Sequence, residues 1–147
     1  MTFRGQIFGL IVTAALAASV ALPLALVAPP AALAVDACQP LQPGAVLRGT
    51  VINVVDGDTF TVASGGCRVT IRDGGFDAPE RGQPGADEAR AVLARLTLGR
   101  AVLCTVGEGA RDPSRWRSHG RVIAVCRIEG RATGDLLRAE GVPEGGR

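Results

Sequence analysis

Three short segments of this chain carry charged residues that their local structure does not demand: Val55-Asp56-Gly57-Asp58-Thr59, the stretch from Arg72 to Asp77-Ala78-Pro79-Glu80, and His119-Gly120-Arg121. Carboxylates are the hard oxygen donors that divalent cations take, and arginines are permanently charged planar forks matched to oxyanions. Taken singly, each segment has an ordinary reading. Asp-Gly makes a hairpin turn, Asp-x-Pro-Glu makes a loop that leads into a helix, and Gly-Arg opens a solvated strand. Their chemistry depends on whether the fold brings them together.

The elements available to do so are short and mostly β. Residues 46–55 are rich in β-branched side chains and run into Asp56-Gly57, a tight-turn pair, after which 59–63 resumes the pattern, so a hairpin is predicted. Ser64-Gly65-Gly66 turns the chain into 67–72, where Val69 and Ile71 point to one face while Arg68, Thr70 and Arg72 point to the other. Arg72 therefore leaves the core side. Between 86 and 98 the period becomes helical: Ala89, Val92, Leu93 and Leu96 form one stripe, Asp87 and Glu88 lie in the first turn, and Gly99 follows the end. Residues 101–105 and 121–128 read as two further strands joined by a polar loop, and 133–140 as a short helix stopped by Gly141 and Pro143. Five strands, with one helix after the third and another after the fifth, predict a mainly β fold. Closure into a small five-stranded barrel of the oligonucleotide/oligosaccharide-binding (OB) type removes the exposed edges.

Outside these elements, residues 1–34 read as an export signal. Arg4 supplies the positive start, a largely apolar run spans 7–27 with Pro23 inside it, and Ala32-Leu33-Ala34 is a small-x-small cleavage pattern. An uncleaved membrane anchor is the competing reading, since the run approaches the length that spans a bilayer. Residues 35–45 form an N-terminal segment, 46–141 the domain, and 142–147 a loose, glycine-rich tail. All four cysteines lie beyond the leader, where an oxidising compartment turns an even count into disulfides. A hairpin loop centred at residue 115 sets Cys104 opposite Cys126, and Cys38 then pairs with Cys67 by exclusion. Zinc is disfavoured, because there is no C-x-x-C and one histidine in the chain. The formal net charge of +2 is too small to draw in nucleic acid by bulk attraction, so any such affinity must come from local placement.

Together, the three charged segments make this chain resemble the staphylococcal nuclease-like (thermonuclease) family. The features are D-G-D-T at 56–59, an arginine five residues before D-x-P-E at 77–80, and a strand opening on Gly-Arg at 120–121, all in the family's order and spacing. The resemblance covers about Leu47 to Gly141. It implies a calcium-dependent nuclease that hydrolyses phosphodiester bonds of DNA or RNA; the leader and the cysteines point to export, periplasmic or secreted, with membrane attachment only if the leader stays, and a monomer with no stable protein partner is expected. It implies Asp58 and Asp77 as side-chain ligands of Ca²⁺ and the carbonyl of Ala78 as a third contact, a shell that waters and a phosphate oxygen would complete. Asp56 contributes through water or serves the turn alone. Arg72 and Arg121 match a clamp on the transferring phosphoryl group, where charge accumulates as attack proceeds. Glu80 matches the general base that activates water.

Several positions depart from the family pattern or keep two readings. His119 stands where the family often has tyrosine; it caps the turn, stacks on a base, or competes with Glu80 as general base by virtue of its pKa. Trp116 either offers a stacking platform or covers the barrel end. Asp73-Gly74-Gly75 replaces a hydrophobic stretch, so Asp73 is expected to pair with Arg72 and the glycines to loosen the segment that holds Asp77. Gly134 replaces an asparagine, and the chain has no tyrosine. A degenerate OB module that binds nucleic acid or another ligand without cleavage is the main alternative function, and a domain whose calcium site only stabilises the fold is a third.

Overall fold

The computed structural model describes residue 34 and residues 37–145. The leader reading therefore lies outside the described residues apart from Ala34, as do residues 146–147. Among the described residues no helix is long and apolar enough to cross a membrane.

In chain order the elements are β1 (Val46–Val54), β2 (Thr59–Ser64), β3 (Cys67–Asp73), α1 (Ala86–Thr97), β4 (Ala101–Val106), β5 (Arg117–Ser118), β6 (Arg121–Ile128), β7 (Arg131–Ala132) and α2 (Thr133–Ala139). Neighbouring strands follow the path β3-β2-β1-β4-β6. β6 then pairs with β3 in parallel, Ile71 against Val122 and Arg72 against Ile123, and this contact closes the five-stranded barrel. β1 is the longest strand because it serves two partners. Its first half pairs with β4 and its second with β2, with a register irregularity between Val51 and Asn53 where the strand bends from one to the other.

Alternation along the strands fills the barrel with Leu47, Val51, Phe60, Val62, Ile71, Val102, Val106 and Val122, all essentially inaccessible. Burying each such side chain is worth about 1.5–3 kcal/mol relative to exposure. Helix α1 covers the barrel with the expected stripe, of which Ala89 and Leu93 are buried. α2 contributes Leu137. Both disulfides form as expected: Cys104 and Cys126 are direct register partners across β4 and β6, and Cys38 joins Cys67.

Three features differ from the sequence reading. β5 and β7 are additional strands, too short to leave a periodic signal. The stretch 37–45 is no mere lead-in: Leu41 is buried, and Gly44 N–H donates to the Val106 carbonyl while Val106 N–H donates to Ala45. Nor are the described tail residues loose. Val142 is buried, and Gly145 N–H donates to the Asp77 carbonyl at 2.7 Å.

Candidate active site

The turn between β1 and β2 is held by its own backbone, with Val55 and Asp56 N–H groups both donating to the Thr59 carbonyl. Asp56 Oδ1 accepts the Asp58 N–H at 3.2 Å, a local bond that fixes the turn. Gly57 is needed for proximity: a Cβ there would sit 2.6 Å from Ala78 Cβ and 2.7 Å from Ala89 Cβ. The turn thus lies directly on the 77–80 loop, and the Ala78 N–H faces Asp58 Oδ2 at 3.4 Å.

Arg72 joins the two acidic segments. Its Nη2 lies 3.0 Å from Asp58 Oδ2 and 2.6 Å from Asp77 Oδ1. The Asp58 side chain is 6% exposed, that of Arg72 16% and that of Asp77 26%, so the cluster grades from the barrel surface outwards. Burial pushes the Asp58 carboxyl above its ordinary range, against the opposing pull of the Arg72 charge and the Thr59 hydroxyl. The parallel β3–β6 contact brings in the second arginine, whose Nη1 donates to Thr59 Oγ1 at 3.2 Å. Thr59 in turn donates to Asp58 Oδ1 at 2.9 Å.

A cavity of about 270 Å³ is lined by Asp58, Arg72, Ala78, Glu80, His119 and Arg121, among others. Asp77 faces a larger one of about 550 Å³, which shares Arg72, His119 and Arg121 with the first. The structure therefore gathers all but one of the catalytic, metal and nucleic-acid residues read from the sequence around two adjoining cavities. Trp116 is the exception: it packs, partly buried, against the core with the Arg117 guanidinium 4.4 Å from its ring centre. His119 occupies the tip of the β5–β6 turn with a φ of 51°, followed by Gly120 at 75°. Two successive positive φ values between paired Ser118 and Arg121 make a tight primed turn, which favours the turn role for His119.

The donor set suits a hard cation. Asp58 and Asp77 direct oxygens at one positive centre, now a guanidinium nitrogen. Among the described residues no three His, Cys, Asp or Glu side chains form a cage, so an ion here would rely on backbone carbonyl and water oxygens for the rest of its shell, as calcium tolerates.

No protein-family model matches the chain. Over 78 residues it is 36% identical to the micrococcal nuclease of Shigella flexneri, a stretch that covers 53% of this chain and 41% of that protein. Over 59 residues it is 41% identical to protein ParB of Escherichia coli, covering 40% of this chain and 33% of that one. The chain thus spans less than half the length of these curated relatives.

The geometry corrects the expectation for residues 73–75. Asp73 does not pair with Arg72. Strand alternation turns it inwards, 2% exposed, where Thr133 Oγ1 donates to its Oδ2 and Gly75 N–H to its Oδ1 at 2.8 Å. Burial pushes its carboxyl up to about 6, against those two hydrogen bonds. Nor do the glycines loosen the segment. A Cβ on Gly74 would lie 2.4 Å from the Glu108 carbonyl, and one on Gly134 would lie 2.9 Å from the Gly75 carbonyl, so both positions are glycine because backbones touch there. Thr59 is the site residue the sequence reading passed over. Its place at the end of D-G-D-T, opening a strand beside Arg72, was the available signal.

Proposed function

We propose that this protein is a metal-assisted phosphodiesterase of nucleic acids, calcium-dependent and exported. The observation that carries this reading is the convergence of Asp58 and Asp77, from separate segments, on one positive centre at the edge of a cavity that also holds Arg121 and Glu80. The similarity to a micrococcal nuclease supports it. The two disulfides support export.

Asp58, Asp77 and the Ala78 carbonyl would hold the calcium ion. When bound, that ion supplies a positive charge that polarises a phosphate oxygen. Arg72 and Arg121 bind the non-bridging oxygens of the scissile phosphate and stabilise the charge that grows on them during in-line attack. Thr59 positions Arg121 and Asp58 through one hydroxyl. Glu80 takes the proton from the attacking water as the water oxygen bonds to phosphorus. The ester P–O bond opposite breaks, and the leaving oxygen takes a proton from solvent. His119, on the same cavity, is the rival for the base role.

Incubating the protein with denatured and duplex DNA in millimolar calcium or in chelator tests this directly, with Glu80→Gln and His119→Gln variants run in parallel. Calcium-dependent cleavage, lost by orders of magnitude in the variant lacking the true base, is the expected result. Binding without cleavage in calcium would overturn the enzymatic reading in favour of a binding module.

A further inference from the structure

The loop that carries the Asp77 side chain and the Ala78 carbonyl has no regular structure of its own: residues 76–80 lie between β3 and α1 outside any helix or strand. Single contacts fix it instead. The peptide that joins Asp77 to Ala78 is met at both edges, its carbonyl accepting the Gly145 N–H at 2.7 Å and its N–H facing Asp58 Oδ2 at 3.4 Å. A trans peptide is planar and points these two groups in opposite directions, so contacts at both edges set the plane. The Asp77 side chain branches from one end of that plane and the Ala78 carbonyl from the other. Gly145 approaches so closely that a Cβ there would lie 2.7 Å from the Ala78 carbonyl oxygen.

The segment that brings Gly145 to this place is itself held by Arg138, in the last turn of α2. Arg138 Nε donates to Glu144 Oε1 at 2.6 Å and Nη1 to Asp135 Oδ1 at 3.1 Å. Its Nη2 donates to the Gly75 carbonyl at 2.7 Å, and its guanidinium carbon stands 5.5 Å from the centre of the Phe76 ring. Phe76 and Val142 are both buried, which seats the loop and the tail on the same side of the barrel core. One side chain thus spans the start of the loop and the tail that grips its middle. Ion pairs of a half-exposed arginine add little to global stability, so these bonds matter chiefly for where they put the loop.

We propose that Arg138 is a positioning residue for the cation site. With Glu144 and Gly145 it forms a C-terminal clamp that sets the Asp77–Ala78 peptide, and through it two of the oxygens offered to the ion. Its part in cation binding rests on the nuclease reading, whereas the clamp itself is order in the loop and is read without calcium.

The test combines amide hydrogen exchange, followed by mass spectrometry in chelator, with calorimetric titration of calcium. Arg138→Met keeps an apolar stem over Phe76 and removes every side-chain donor. Arg100→Ala is the control: it deletes an ion pair of similar arginine exposure, 41% against 44%, whose partner Glu129 lies between β6 and β7. In Arg138→Met, residues 74–80 and 142–145 are expected to exchange roughly tenfold faster, the order of one lost hydrogen bond from a charged donor, while β1 and β2 keep wild-type protection. Calcium affinity should fall roughly tenfold, as when a partner that orients a metal ligand is removed. Loss of a nearby positive charge would by itself strengthen calcium binding, so the fall reports lost positioning. Gly145→Ala changes no charge, pushes the tail off the Ala78 carbonyl and should reproduce both effects, whereas Arg100→Ala should show neither. Unchanged exchange in the loop, equal acceleration throughout the barrel, or wild-type calcium affinity in both clamp variants overturns the proposal. Loop exchange accelerated as expected, in a protein whose wild type shows no heat of calcium binding, upholds the clamp and removes the calcium-dependent reading instead.

Discussion

Arg72 and Asp73 are consecutive residues at the end of β3, and the pleat sends them to opposite sides of the barrel wall. Arg72 faces outwards between two carboxylates beside an open cavity. Asp73 faces inwards, closed off from solvent and satisfied by Thr133 and Gly75. Both sides carry charged groups in close hydrogen bonds, yet they do different work. On the inner side every polar atom has a partner from the fold itself, and the result is a tie between the end of β3 and the start of α2. On the outer side two carboxylates share one guanidinium nitrogen, an arrangement that a cation and a phosphate can take over. Charge that the fold satisfies completely is architecture, and charge with remaining capacity at a cavity is chemistry.

Removing the outer partner should have the largest effect. Arg72→Ala is expected to lower turnover roughly 100- to 1000-fold, the range for losing one preorganised donor to a developing oxyanion. It also leaves Asp58 uncompensated at the barrel surface, so a stability loss of about 3 kcal/mol should accompany it in denaturant unfolding. Arg72→Lys separates the two effects: stability recovers, while turnover stays low because an ammonium lacks the planar fork. Wild-type cleavage by Arg72→Ala would erase the distinction between the two faces.

Changing the inner partner should act on stability, with a pH signature. Folding raises the Asp73 pKa from 3.8 to about 6, so the native state holds this proton more tightly than the unfolded chain. The stability it contributes is full below about pH 4 and is lost as pH rises through 6. Relative to Asp73→Asn, the wild type should therefore gain about 3 kcal/mol as pH falls across that window, with turnover at neutral pH little changed. A pH-independent difference between the two proteins would contradict the buried assignment. The smallest effect is expected one residue on. Gly74→Ala forces a methyl against the Glu108 carbonyl and should cost about 1–3 kcal/mol by thermal or denaturant unfolding, whereas a flexible segment would absorb it.

The contrast between the two faces was half legible in the sequence. Alternation in 67–72 showed Arg72 leaving the core, and the helical stripe, the barrel strands and the cysteine register all follow from periods that sequence displays directly. Asp73 was misassigned because its partner, Thr133, is 60 residues away and no local pattern announces it. The Gly74–Gly109 approach and the Gly145 bond to Asp77 are equally non-local. Leu41 gave no signal because a single apolar residue among prolines and glutamines has no period, although it is buried. What sequence reports well is repetition along the chain. What it conceals here is contact between single residues in segments that the barrel closes upon one another.

The central claim is that the outer carboxylates form one cation site. Calorimetric titration of calcium into the protein, with a non-hydrolysable nucleotide analogue present, measures it most directly. The account predicts saturable one-to-one binding by the wild type and its loss in Asp77→Asn, a change at a partly exposed side chain that leaves the barrel intact. Absence of binding heat in the wild type, or equal binding by the variant, would contradict it.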